Sequence, residues 1–383
     1  MTQLPILAPY VASFGVGAIY TGVILGSYSF VNMAGNLVAG PVIDAFDRRV
    51  TIGIGMAVAG LAVAGYSMAT RPGHLLVLRI LHGAGGAVLI PAVFAWAGDR
   101  ARAGAAGRSM GHAGAAVAFA AALGPALGGI GGAYLGAPTV FLGLGLLLCA
   151  TSAGVLAGLV REHRRQAQTQ NHNAAALAGS PRGITVRGIP RAVLQALRNP
   201  HLVLSFHAVF SLAFALGTLA FVLPLSMTRL GYSSGYTGLL FSLFSIAAIL
   251  FSLLPTNRLP DRIGPVRVAA GGTAVILVAL TALALMAAQH VTILAAIMIA
   301  YGIGFGAVFP ATGTIVVLAA GPDRRGAAFG VYYAFFSLGV FLGPVTAGFA
   351  TTLDLNPYGA AVLVTALTGA AQYRELRRRP GDT

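Results

Sequence analysis

Residues 83–91 read Gly-Ala-Gly-Gly-Ala-Val-Leu-Ile-Pro, and residues 302–310 read Gly-Ile-Gly-Phe-Gly-Ala-Val-Phe-Pro. At an offset of 219, Gly83, Gly85 and Pro91 fall on Gly302, Gly304 and Pro310. The same offset carries Gly107, Gly111, Gly124, Pro125 and Gly129 onto Gly326, Gly330, Gly343, Pro344 and Gly348. Earlier in the chain the offset is 216: Tyr20-Thr21-Gly22 recurs as Tyr236-Thr237-Gly238, and Gly15 and Ser29 fall on Gly231 and Ser245; with one inserted residue, Asp44 falls on Asp261. Glycine and proline fix backbone bends and close helix approaches, so their agreement in register over this span describes a chain built from two similar halves.

Composition places those halves in a bilayer. Only 9% of the residues are charged, against roughly 25% in soluble proteins, while 57% are hydrophobic and the mean hydropathy is +0.83. A spanning helix takes about 20 apolar residues. Stretches 17–43, 50–70, 74–98, 107–134, 137–160, 200–227, 234–256, 267–289, 291–319 and 325–352 meet that length, and 4–14 and 357–372 are shorter. Under the repeat, residues 4–14 read as the outer end of a first helix, truncated on its inner side. Cys149, the single cysteine, lies in an apolar stretch, so disulfides play no part.

Arginine sets the orientation. All 24 basic residues are arginines, at 48–49, 100–108, 161–165, 182–198, 258–267, 324–325 and 374–379 on one side. Arg71 and Arg229 fall on the other side, and Arg79 falls inside a helix. The positive-inside rule puts residues 161–199 and the C-terminus in the cytoplasm. These charges act as topology signals along the whole chain, so the net charge of +15 does not point to nucleic acid. The organisation expected is an N-terminal bundle over 1–160, a cytoplasmic linker over 161–199 and a C-terminal bundle with a basic tail over 200–383. The end of the linker, Ile189–Arg198, opens at a proline and spaces its apolar residues at helical intervals, which predicts a short helix lying at the membrane interface.

Three motifs give this plan a family. Gly40-Pro41-Val42-Ile43-Asp44-Ala45-Phe46-Asp47-Arg48-Arg49 resembles the signature loop after the second helix of the major facilitator superfamily, with Gly40, Asp44, Arg48 and Arg49 matching and Ala45 and Asp47 departing from it. The second copy keeps Asp261, Arg262 and Gly264. Leu75 to Ala87, with Arg79, Gly83 and Gly85, resembles the family's fourth-helix motif, and His82 takes the place of its usual glutamine. Gly124-Pro125-Ala126-Leu127-Gly128-Gly129 resembles the fifth-helix stretch of the drug and metabolite antiporters, and Gly343-Pro344 repeats part of it. In physical terms the first motif is a cytoplasmic ion-paired latch to which Asp99 can contribute, and the third is a helix bend with close packing.

The resemblance implies an all-α membrane protein of two pseudo-symmetric six-helix bundles in a plasma (bacterial cytoplasmic) membrane. It also implies a secondary transporter that works by alternating access. Proton-coupled efflux of a drug-like or amphipathic metabolite is the leading expectation, and proton-coupled uptake of a small nutrient is the alternative. Partners are then a small-molecule substrate, protons and the lipid bilayer, with a monomer expected and no cofactor or metal. The chain carries no HExxH run and no paired membrane carboxylates, which argues against an intramembrane enzyme, and a twofold repeat within one chain argues against a channel.

A site near mid-membrane between the halves draws on Tyr28, Asn32, Arg79, His82, His112, His207, Phe210, Phe214, Phe244, Tyr301, Tyr332, Tyr333 and Phe336. All nine acidic residues fall in loops, at loop edges or in the tail. Coupling therefore falls to histidine, and His82, one turn from Arg79, is the residue proposed to exchange the proton. Charging both would put two positive groups one turn apart, so proton uptake calls for a conformation that separates them or admits a counter-charge.

Overall fold

A computed structural model of the chain describes residues 1–45, 47–89, 91–93, 96, 106–169, 189–254, 256, 259–285, 290–320 and 325–378. Among these there is no strand. The helices are α1 (Leu4–Ala12), α2 (Ala18–Ala45), α3 (Arg48–Gly65), α4 (Pro72–Ala87), α5 (Ala106–Leu135), α6 (Ala137–Thr169), α7 (Ile189–Arg198), α8 (Pro200–Arg229), α9 (Ser234–Leu253), α10 (Leu259–Ile263), α11 (Pro265–Leu285), α12 (Val291–Ala320), α13 (Arg325–Thr352) and α14 (Gly359–Arg378). Nine segments among the described residues are long and apolar enough to cross a membrane. In hydrocarbon every backbone polar group must be satisfied within the segment, and the helix is the element that does this.

Local chemistry sets several ends. The Asp47 carboxylate accepts from the Arg49 amide at 2.8 Å and caps α3. Asn199 accepts from the His201 and Leu202 amides at 3.0 and 3.4 Å and caps α8, which opens on Pro200. Gly15 and Gly231, equivalent under the repeat, both adopt positive φ (75° and 79°), so the same left-handed turn reverses the chain after the first helix of each half. Two expectations are refined. The 50–70 stretch is α3 followed by a single 3-10 turn, Tyr66–Met68. The 357–372 stretch continues to Arg378, which makes α14 20 residues long with arginines in its last turns.

Helix pairing follows the repeat. Within the halves α3 packs on α6 as α11 packs on α14, α3 on α4 as α11 on α12, and α4 on α2 as α12 on α9. Between the halves α2 runs along α13 and α5 along α9. The two copies are built alike in detail. A methyl group on Gly83 would meet the Tyr28 carbonyl oxygen, and one on Gly302 would meet that of Phe244, the residue equivalent to Tyr28. The main core joins Ile6, Leu7 and Val11 of α1 to α8 through Leu216, Leu219 and Leu223, and continues to Tyr66, Phe141, Phe241 and Tyr301. Of the linker, residues 170–188 lie outside the described part, and its last helix is α7.

Candidate functional site

The polar centre of the N-terminal half forms where α4 meets α2 and α3. Arg79 is 7% exposed. Its Nε donates to the Ile24 carbonyl at 3.2 Å, its guanidinium also donates to the Leu25 carbonyl, and Cζ lies 5.1 Å from the centroid of the Tyr28 ring. Arg79 therefore does not snorkel to the outer surface. Its charge is held by carbonyl dipoles and an aromatic face inside the bundle, the kind of polar interior that makes an intramembrane arginine tolerable. His82, one turn along, also packs on Tyr28, with ring centroids 4.7 Å apart, and its Nδ1 lies 3.0 Å from the Tyr66 hydroxyl. The Tyr66 carbonyl accepts from the Tyr10 hydroxyl at 2.8 Å. Phe141 packs edge to face on both Tyr10 and Tyr66, at 5.3 and 5.4 Å, and closes this centre.

The C-terminal half has the same geometry without the charge. Tyr301 stands at the repeat position of His82 and packs 5.5 Å from Phe244, as His82 packs on Tyr28. Met298, fully buried, stands at the position of Arg79. The Tyr301 hydroxyl is enclosed and has no hydrogen-bond partner among the described residues. An aromatic series runs from Phe244 through Phe305 and Phe309 to Tyr332 and Phe336, with centroids 5.4–6.1 Å apart. The Tyr332 hydroxyl lies 2.9 Å from Thr312 Oγ1. Tyr301 and Tyr332 are thus packing residues in this conformation, whereas Tyr333 is 40% exposed.

Between the halves lies a polar seam that sequence reasoning missed. Asn36 Nδ2 donates to Asn32 Oδ1 and to Ser337 Oγ, both at 3.1 Å, joining α2 to α13. Asn32, one of the residues expected at the site, takes part in this seam through its Oδ1. Asn36 carries the same signal, an amide in an apolar helix, and Ser337 carries none that distinguishes it from other small residues. His207 is separate from both clusters. It is the one exposed residue of α8 between His201 and Met227, and its Nδ1 donates to the Val203 carbonyl at 3.0 Å. Phe210 and Phe214 form a ring pair on the same helix, 5.8 Å apart.

The helix-bend motif lies on the outer closure between the halves. Gly22 of α2 faces the Pro344 carbonyl of α13 so closely that a Cβ could not fit, and its repeat mate Gly238 of α9 faces the Pro125 carbonyl of α5 in the same way. Gly348 meets the Ala18 carbonyl, and its mate Gly129 meets that of Ser234, the mate of Ala18. Each half therefore gives the other the same contact it receives, as in a twofold interface. Ser234 Oγ donates to the Gly129 carbonyl at 2.8 Å, and the Ala126 amide donates to Ser242 Oγ at 3.0 Å. The α5–α9 contacts involve Pro125 to Gly132, the part of α5 nearer its outer end, so the outer side is closed there.

The profile described as Major Facilitator Superfamily matches residues 1–344. The chain belongs to the major facilitator superfamily. It is a multi-pass membrane transport protein and not an enzyme. Two Gly-x-Ser-x-Gly runs, Gly107–Gly111 and Gly231–Gly235, lie within α5 and at the turn before α9, and neither is a strand-to-helix elbow. The superfamily protein is 22% identical over 270 residues to Multidrug resistance protein 2 of Bacillus subtilis, covering 69% of this chain and 64% of that protein. It is 29% identical over 198 residues to Multidrug resistance protein MdtG of Escherichia coli, covering 49% of this chain and 47% of that one. An uncharacterised MFS-type transporter of Methanocaldococcus jannaschii is 23% identical over 381 residues, covering 98% of this chain and 93% of that protein. The fold is similar, at a TM-score of 0.70 and 16% identity, to a bacterial homologue of the human lysosomal transporter Spinster solved in an inward-facing and unoccupied conformation; the match covers 98% of this chain and 88% of that one.

The residues expected to form a cytoplasmic latch fall largely outside what the structure describes. Asp44 lies in the last turn of α2, with Gly40 a turn before it, but their surroundings and Asp99 lie outside the described residues, as does the His112 side chain. Arg48 and Arg49 begin α3, and Asp261 and Arg262 are exposed on α10. No group of three or more metal-ligating side chains occurs among the described residues.

Proposed function

We propose that this superfamily member is a proton-driven exporter of a small amphipathic or drug-like compound. The observation that carries the reading is the outer seam: the Gly-Pro stretch of α5 that resembles the antiporter motif is one half of a close-packed twofold closure, and its copy in α13 is the other half. A transporter closed outside by backbone-to-backbone contact and able to part there fits alternating access. Two relatives are named as multidrug resistance proteins, which supports export as the direction. The aromatic series of the C-terminal half, packed ring on ring in this conformation, would present an apolar ring-bearing cargo with a better match than a sugar or a phosphate ester once the halves part, since little in it offers paired hydrogen bonds.

The proton belongs to the Tyr28–Arg79–His82–Tyr66 cluster in this proposal. His82 is the titratable member, and Tyr66 holds its Nδ1. Tyr28 touches both the His82 ring and the Arg79 guanidinium. A movement of α4 against α2 in the other conformation takes Tyr28 and the Ile24 and Leu25 carbonyls away from the pair and opens it to water or a counter-charge, which is the event the charge argument requires. The test is accumulation in inside-out vesicles with an imposed pH gradient across a panel of amphipathic dyes and metabolites. Export predicts gradient-dependent accumulation of one class. Accumulation only in right-side-out vesicles overturns the direction.

A further inference from the structure

We propose that α7, the helix ending the linker, is a docking site for anionic phospholipid headgroups of the cytoplasmic leaflet. The helix has three flanks. Val193 and Ala196 face the protein, where Ala196 is buried in a cluster with Leu202, Phe206, Ala328, Val331 and Tyr332 at the inner ends of α8 and α13. Leu194 and Leu197, one residue further on, are 51% and 41% exposed. At about 100° per residue, this pair lies about a quarter turn round from the packed flank. Arg198 is exposed on the next flank, and Arg191 shares its register.

A helix that is packed on one side, leucine-rich on the second and arginine-bearing on the third fits one place: the corner where the protein, the acyl chains and the headgroups meet. Asn199 fixes its height, since Nδ2 donates to the Ala319 carbonyl at 3.2 Å at the inner end of α12. Headgroup charge follows from the sequence around the helix. Arg182, Arg187, Arg191 and Arg198 precede and occupy it, and no Asp or Glu occurs from residue 163 to residue 260. A cytosolic acidic partner would meet the arginines but would leave Leu194 and Leu197 in water. A phospholipid covers both flanks.

The test uses the full chain with Cys149→Ser and Leu194→Cys, labelled with bimane and reconstituted into phosphatidylcholine vesicles with increasing phosphatidylglycerol. Emission should shift to the blue and be quenched by brominated acyl chains as phosphatidylglycerol rises. Removing an arginine, Arg191→Gln or Arg198→Gln, should raise the phosphatidylglycerol needed for half the shift about 5-fold, the equivalent of about 1 kcal/mol per basic residue at an anionic surface. Arg198→Lys should keep the response, which separates charge from folding. Identical emission in neutral and anionic vesicles, or no difference between Arg198→Gln and Arg198→Lys, overturns the proposal.

Discussion

Leucine in place of Gly22 tests the outer seam at its tightest point. A Cβ there would lie 2.8 Å from the Pro344 carbonyl carbon and 3.1 Å from Val345 Cα, with the Pro344 oxygen nearer still. All three are backbone atoms of α13, so no side-chain rotation relieves the overlap, and α2 and α13 must part. Overpacking of this kind costs about 1–3 kcal/mol. The cost falls on the outer-closed state and is absent once the seam opens, so the equilibrium should move toward outward-open by about 5- to 150-fold. The opposite seam reports it without being touched. A Cβ on Gly235 would lie 4.0 Å from that of Ala133, within the range of about 3.5–4.5 Å that a disulfide needs. In a Cys149→Ser background, the pair Ala133→Cys and Gly235→Cys should cross-link readily under mild oxidant. Adding Gly22→Leu should slow that cross-linking by the same factor. An unchanged rate would mean that the α2–α13 contact does not govern closure and that the two seams are independent.

Three further outcomes follow from the polar centre and the latch. Arg79→Met should fold with a melting temperature close to the parent's, because Met298 fills the equivalent site and exchanging a buried charge for an apolar side chain of similar volume is often neutral; transport should be lost, and a collapse of thermal stability would make Arg79 a structural residue. Tyr66→Phe removes the hydroxyl at His82 and should cost about 0.5–1.5 kcal/mol, with most of that cost absent when His82→Leu, which cannot hydrogen-bond, is already present; additive effects in this double-mutant cycle would sever the pair. Asp44→Ala should shift cross-linking across the cytoplasmic mouth by the equivalent of about 1–3 kcal/mol, and an unchanged pattern would remove Asp44 from the latch.

The twofold plan was legible in the sequence because glycine and proline report the backbone itself. Gly15 and Gly231 share a left-handed turn, and Gly83 and Gly302 share a helix crossing. Helix existence was equally plain, since apolar length leaves a membrane chain few alternatives. What the sequence did not carry was who touches whom across the halves. The contacts of Gly22 with Pro344, and of Asn36 with Ser337 301 residues away, depend on how two bundles lean on one another. The Gly124-Pro125 motif read as a bend proved also to be a contact surface, because small residues serve both purposes. The neighbours of His82 were half visible: Arg79 stands one turn away on the same helix, but Tyr28 and Tyr66 come from other helices and neither has a distinctive spacing. Tyr301 and Tyr332 read as cavity residues and are enclosed, since an aromatic in an apolar helix serves packing and binding with the same pattern.

The central claim, that a proton taken up at His82 drives export, meets its most direct test in the vesicle assay with His82→Gln. Glutamine restores the residue usual at this place in the family and keeps a hydrogen bond to Tyr66 within reach, but it cannot carry a proton. The account predicts that substrate binding and downhill exchange persist while accumulation no longer responds to the pH gradient. A His82→Gln protein that still concentrates substrate with full proton dependence would contradict it and move the coupling site elsewhere, with exposed His207 the next residue to test.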